Sequence, residues 1–326
     1  MKKVSILIPV YGVEKYIERC AVSLFEQTYK EIEYIFVNDC TRDNSVTILN
    51  EIIKRYPSRE QYVNIINHES NRGIAATRNT ALNHATGDYI LWVDSDDFIE
   101  FNTVEKCIEK IEVTEADIVV FGVKHIYSDK SSIQHVKEPS NVVDCVCKHL
   151  QRESIVGICG AFYLRSIFDD IRTIEGYNNG EDYFIKACAM YYAKKIVAID
   201  LPLYNYDRSN ESSMTHIFNE SVISSLLLYM SALSSFFKSK KDYYLYRDAI
   251  NNAKSLIKVS LSISWALSNG AIGTIKKIQS LYPDVSIGKS LNLKHKIILY
   301  SLSMKQYRFL KIYINLGKVI QHLFSR

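Results

Sequence analysis

The sequence predicts an α/β fold: a Rossmann-like, mostly parallel sheet with helices on both faces, followed by a helical C-terminal extension. Three observations predict it. Short, near-continuously apolar β-rich runs alternate with single helical patterns through the first half. Single helices between such strands make βαβ units, which cross over right-handed into a parallel sheet covered on both faces. From Ile217 onward only helical periodicity remains, broken near Asn269-Gly270 and Tyr282-Pro283-Asp284. The expected division is an α/β domain over 1–216 and a helical region over 217–326.

The elements follow in order. Val4 to Pro9 reads as the first strand: two lysines precede it, but the apolar run is about six residues and meets a proline with no small-residue cleavage site, so it is not read as a signal peptide. A helix from about Glu14 places Ile17, Cys20, Ala21, Leu24 and Phe25 on one face. Further strands are expected at Tyr34 to Val37, Tyr62 to Ile66 and Tyr89 to Val93, with helices at Asp43 to Arg55 and Ile74 to Ala85. Beyond Asp117 the pattern is mixed, with strands at Ile118 to Phe121, Ile155 to Leu164 and Ile196 to Leu203 around a helix from Glu181 to Ala193. No window reaches the roughly 18 apolar residues that span a bilayer.

Composition narrows the function classes. The 326 residues suffice for a sizeable core, and 47% hydrophobic with 23% charged residues belongs to globular chains. The seven cysteines are odd in number, scattered and without CxxC pairs, which fits reduced thiols of a cytosolic protein rather than a disulfide framework or a zinc site. A formal charge of +4 is too small to argue for nucleic acid.

Ligands of open α/β sheets bind outside the carboxyl ends of the strands. The residues expected there are Tyr11, Asn38-Asp39, Asn71-Arg72-Gly73 and Asp94-Ser95-Asp96-Asp97. The last group puts three carboxylates in four residues after a buried strand. Like charges so close repel, and a bound cation relieves the strain. Oxygen-only ligands suit Mg²⁺ or Mn²⁺, with substrate phosphates completing the shell. A solvated acidic turn capping the next helix is the other reading of an isolated DxDD pattern. Asp39 is placed to accept from a nucleobase or ribose, or to form a turn. Tyr11 is placed to stack on a base or to pack. Arg78, on the helix after Gly73, either faces phosphate or base or is a solvated helical arginine. Gly180-Glu181-Asp182 opens a helix, where acids complement the dipole or supply a general base. The helix start is expected to hold Asp182 ionised.

Together these residues resemble a family 2 glycosyltransferase of the GT-A fold. The matching pieces are Ser5-Ile6-Leu7-Ile8-Pro9-Val10-Tyr11, Gln27-Thr28-Tyr29, Val37-Asn38-Asp39 with Asp43-Asn44-Ser45, Asn71 through Arg78-Asn79, Ala85 through Tyr89, Asp94 through Asp97, and Gly180-Glu181-Asp182. The resemblance implies inverting transfer of a hexosyl group from a nucleoside-diphosphate sugar, UDP-linked by preference, to a glycan or lipid-linked acceptor of surface polysaccharide synthesis. It implies that Pro9, Tyr11 and Asp39 line the base pocket with Arg78 adjoining. Asp94 and Ser95 would hold the ribose and diphosphate side, Asp96 would ligate Mn²⁺ or Mg²⁺, and Asp182, rather than Glu181, would be the base. Arg208 and His216 lie in a segment similar to the loop that closes over the donor diphosphate in relatives, where they would touch phosphate or metal. Asn38, Cys40 and Gly12 depart from the common pattern, and the QxxRW motif of processive members is missing, which points to single-residue addition. The alternative is a catalytically silent nucleotide-sugar-binding subunit of a glycan assembly complex.

The last acidic residue is Asp284, while Lys289, Lys294, Lys296, Lys305, Arg308, Lys311, Lys318 and Arg326 follow. A helical wheel over 305–324 puts Arg308, Lys311, Asn315, Lys318 and His322 on one stripe, beside an apolar face of Phe309, Ile312, Leu316, Val319, Ile320 and Leu323. Such a helix either lies in an anionic membrane surface or packs on its own domain with a basic edge in water. The expected place of work is the cytoplasm, peripheral on the inner face of the membrane.

Overall fold

The computed structural model describes residues 1–153, 157–209, 219–268, 270–283, 285 and 291–324, the side chains of 318–324 excepted. It divides into two compact units, one of 1–149 with 153–216 and one of 150–152 with 217–326.

The first unit is built on a mixed sheet in the order β3-β2-β1-β4-β8-β6-β9-β5, with β7 beside β6. β1 (Val4–Val10), β2 (Ile32–Asn38), β3 (Val63–Asn67) and β4 (Tyr89–Trp92) pair in parallel as the βαβ pattern requires. β1 is buried along its whole length, which explains its unbroken apolar run. α1 (Ile17–Phe25) buries Ile17, Cys20, Ala21, Leu24 and Phe25, the face expected from its spacing. α2 (Ser45–Arg55) and the single turn α3 (Pro57–Glu60) link β2 to β3. α4 (Ile74–His84) packs against β1 and β2 and is buried almost all round, because Ala75, Ala76 and Ala81 let it approach closely.

Past β4 the sheet departs from the parallel pattern. β5 is a two-residue strand (Phe98–Ile99), and α5 (Thr103–Thr114) leads into β6 (Ile118–Ile126) and β7 (Ser131–Gln134). After α6 (Val142–Leu150), β8 (Ala161–Leu164) runs antiparallel to both β4 and β6. The strand expected from Ile155 is shorter: 158–160 form a 3₁₀ turn, and 155 and 156 lie outside the described residues. α7 (Glu181–Tyr192) then precedes β9 (Ile196–Asp207), parallel to β6 and antiparallel to β5.

In the second unit, α8 (Glu220–Lys238), α10 (Ile272–Ser280), α11 (Leu293–Ser303) and α12 (Tyr307–Phe324) pack against α9 (Arg247–Leu267). The expectation that no segment is long and apolar enough to span a bilayer is corrected here: by length and composition α8 is. Its buried Ile223, Tyr229, Met230, Leu233 and Phe237 are equally those of a core helix. α12 buries Leu310 and Ile314 and leaves Phe309, Ile312 and Leu316 50–59% exposed. Lys311, on the expected basic stripe, has its Nζ 5.9 Å from the Trp265 ring.

Candidate active site

The loops after β1, β2 and β4 meet at the carboxyl edge, adjacent strands being about 4.8 Å apart. Pro9 ends buried in β1, while Tyr11 beyond it is 53% exposed and free to offer a ring face. The loop after β1 is stitched to that after β2: the Gly12 N–H donates to Thr41 Oγ1 (2.9 Å), Val13 N–H to Ser45 Oγ (3.0 Å) and Glu14 N–H to Asp43 Oδ2 (3.0 Å). Gly12 sits at φ +68°, which favours glycine and fits its departure from the family pattern. Burial pushes the Asp43 carboxyl up, but hydrogen bonds from Ser45, Thr41 and Glu14 outweigh it and hold it below its ordinary range.

Asp39 is buried and has partners of its own. Its Oδ1 accepts from Arg72 N–H (2.8 Å) and meets His68 Nδ1 (2.7 Å), and its Oδ2 accepts from Gly73 N–H (2.7 Å). The carboxylate therefore orders the 71–73 loop as well as standing at the β2 end, and a base N–H must share one of its oxygens. His68, missed in the sequence, is fixed from its other side by Thr80 Oγ1 (2.9 Å).

The carboxylate loop follows β4. Asp94 and Asp96 reach solvent in part, whereas Ser95 and Asp97 are buried. Arg78, 4% exposed, does not adjoin Tyr11 and Asp39 through any of its contacts. Its Nη2 donates to Asp94 Oδ1 (3.0 Å), its Nε lies 3.7 Å from Glu181 Oε1, and its guanidinium sits 5.5 Å from the Trp92 ring centroid. Nε and Nη1 have no hydrogen-bond partner among the described residues, leaving two buried donors that an anionic oxygen would satisfy. Arg78 thus joins the loop after β4 to the start of α7.

At that start Gly180 takes φ +96°, turning the chain so that Glu181 and Asp182 open the helix. Asp182 Oδ1 accepts from the Tyr183 N–H (2.6 Å), and a Cβ on Gly157 would lie 3.9 Å from Oδ2. Burial raises the Glu181 carboxyl to about 8, with Asp182 adding to the rise and Arg78 opposing it. Burial also raises Asp182, with Arg78 as the main opposition, so the helix start does not set its ionisation as expected. Lys186, one turn on and fully buried, donates to the Gly157 carbonyl (2.8 Å), and burial lowers it to about 8.

Arg208 lies with its guanidinium 4.8 Å from the Tyr206 ring and its Nε 3.4 Å from His125 Nδ1, apart from the carboxylate loop in its contacts. His216 lies outside the described residues. No three His, Cys, Asp or Glu side chains converge into a metal cage among the described residues. The oxygen donors of Asp94 and Asp96 fit a hard cation only if phosphates and water complete its shell, the usual manner for Mg²⁺.

The model of glycosyl transferase family 2 matches residues 5–172. The chain belongs to this family. The glycosyltransferase GlyA of Streptococcus pneumoniae serotype 4 is 31% identical over 70% of this chain and 34% of its own length. EpsJ of Bacillus subtilis, an uncharacterized glycosyltransferase, is 32% identical over 66% of this chain and 63% of its own. The chain thus spans between a third and just under two thirds of these relatives. Among solved structures, residues 1–349 of S. aureus TarS in complex with UDP-GlcNAc match with a TM-score of 0.74 at 18% identity, covering 97% of this chain and 91% of that one. The mannosyltransferase PcManGT of Pyrobaculum calidifontis, in complex with GDP-Man and Mn²⁺, matches at 0.58 and 14%, covering 100% and 88%. These establish for the family 2 chain a GT-A fold with added C-terminal helices.

Proposed function

We propose that the chain is an inverting, non-processive glycosyltransferase that moves a hexose from a nucleoside-diphosphate sugar, UDP-linked by preference, to a hydroxyl of a glycan or lipid-linked glycan in surface polysaccharide synthesis. The observation that carries this reading is the meeting of Asp94, Arg78 with its two unfilled donors, and Asp182 at one end of the sheet. The nucleotide sugars held by TarS and PcManGT favour the donor class. Tyr11 and Asp39 border the base, and Asp94 with Arg78 faces the ribose and diphosphate. Asp182 takes the proton of the acceptor hydroxyl as its oxygen forms a bond to the anomeric carbon and the bond to the diphosphate breaks. Asp96, with His216 as a second candidate ligand, would hold Mn²⁺ or Mg²⁺, which when bound neutralises charge on the departing diphosphate.

The chain incubated with UDP-GlcNAc and a panel of other nucleotide sugars is expected to release nucleoside diphosphate slowly in Mn²⁺. EDTA should stop the release, and Asp96→Asn should lower it at least tenfold. Nucleotide that raises the melting temperature without any release would instead identify a silent binding subunit.

The proposed place of work is the cytoplasmic face of a membrane, with α12 in contact. Its expected apolar face stays exposed at Phe309, Ile312 and Leu316, beside Lys305 and Arg308. α11 and α12 pack on α9, so point changes test this better than truncation. Phe309→Ser with Ile312→Ser should abolish cosedimentation with phosphatidylglycerol vesicles. Unchanged partition, or equal partition onto phosphatidylcholine, counts against it.

A further inference from the structure

A second arginine holds the carboxylate loop from another element. Arg19 lies on the exposed face of α1, and its side chain is 40% accessible. Its Nη2 donates to the Asp96 carbonyl oxygen (2.9 Å) and to Asp207 Oδ2 (2.6 Å), and its guanidinium carbon lies 4.4 Å from the Phe98 ring centroid. Asp207 ends β9, and its other oxygen accepts from the N–H (2.8 Å) and hydroxyl (2.6 Å) of Ser209.

The same β9 end grips the loop a second time. The Asp207 N–H donates to Asp97 Oδ1 (2.8 Å), and the Tyr204 hydroxyl donates to Asp97 Oδ2 (2.6 Å). That hydroxyl accepts from the Asp94 N–H (3.2 Å), while the Asp97 N–H closes the turn on the Asp94 carbonyl (3.0 Å). Asp94, Asp96 and Asp97 are therefore each tied to β9 or α1. Asp97 and Asp207 are almost wholly buried, and with Asp94 and Asp96 they crowd negative charge that repels. Among the described residues, the cation that pairs with Asp207 is Arg19.

We propose that Arg19 is a positioning residue for Asp96: by bridging the Asp96 carbonyl and Asp207 it locks the Asp94–Asp97 loop onto the end of β9, presenting the cation ligand in one geometry. This rests on the reading of Asp96 as a cation ligand. Groups that orient a ligand from behind typically change metal affinity about 10–100-fold when removed. An ion pair with a structural role alone lowers stability when broken and leaves metal affinity unchanged.

The test is Mn²⁺ binding by the full chain in the presence of UDP, followed by electron paramagnetic resonance of free Mn²⁺, with the melting temperature measured alongside. Arg19→Met is expected to weaken Mn²⁺ about tenfold in a chain that still folds, with a lower metal-free melting temperature because Asp207 loses its cation. Arg19→Lys should recover part of the affinity, because an ammonium keeps the charge and the donors but loses the planar guanidinium that lies over Phe98. Donor turnover by Arg19→Met should return at saturating Mn²⁺. Wild-type Mn²⁺ affinity in Arg19→Met, when Asp96→Asn has lost it, overturns the positioning role and leaves the cation reading standing. Wild-type affinity in Asp96→Asn overturns the cation reading itself. Should Arg19→Met fail to fold, Asp207→Asn, which keeps the shape and removes the charge, decides in the same way.

Discussion

Asp182→Asn is expected to lower kcat about 10³-fold, within the range a positioned general base contributes, while donor and Mn²⁺ affinities stay near those of the wild type. The amide keeps the size of the carboxyl and an oxygen for the Tyr183 N–H, so the α7 start should hold. What disappears is the carboxylate oxygen that a Cβ on Gly157 would approach to 3.9 Å. Glu181 is a poor substitute: burial raises its carboxyl, and it is the more deeply buried of the two. Glu181→Gln should therefore retain most of kcat. Single-turnover assays on both variants decide between them. An active Asp182→Asn with an inactive Glu181→Gln would move the base by one residue.

Arg78→Met is expected to cost both stability and activity. Methionine fills part of the space beside Trp92, but Glu181 and Asp182 lose the cation that opposes their rise, and both carboxyls move further up. Removing one partner of a buried pair costs about 3–5 kcal/mol, and the lower end applies because Asp94 is 32% exposed and partly solvated. The sign with pH follows from the direction of the shifts. Carboxyls raised in the folded state stabilise it while protonated, and that contribution is lost as pH climbs from the unfolded values near 4 through the folded ones. The melting temperature of Arg78→Met should lie close to that of the wild type at pH 5 and fall progressively below it by pH 8.5. The acid limb of its kcat profile should move to higher pH, since the base stays protonated longer. Arg78→Lys should rescue little, having no planar fork to span Asp94 and Glu181. A pH-independent gap in melting temperature would sink this account.

The parts of the molecule legible in sequence were those set by local periodicity. β1 to β4 and the buried face of α1 are spelled out by short-range spacing, as is the place of Asp94–Asp97 at a strand end. β5 is two residues long and defined only by its pairing with Asn205 and Tyr204, so no periodicity announces it. β8 reads as a strand, but its antiparallel setting between β4 and β6 is a long-range fact. Arg78 looked like a helical arginine able to reach a base. Its burial follows from an alanine-rich helix sunk against the sheet, and its partners include Glu181, about a hundred residues away. Arg19 gave no signal, because its acceptors are 77 and 188 positions distant. Asp97 was visible only as a third negative charge; that it is the buried anchor of its loop depends on Tyr204 and Asp207.

The position of β4 has a consequence for how the molecule breathes. β4 is flanked by β1 and β8, whereas β3, whose outer side is unpaired, forms the rim of the sheet and leads into the 71–73 loop that Asp39 orders. Amide exchange through local opening begins at such rims and reaches inner strands only near global unfolding. The 71–73 end of the cleft can therefore fray and re-form many times while the strand leading into Asp94 and Asp96 stays protected; on the proposed function, spent nucleotide would leave without dismantling the acidic turn.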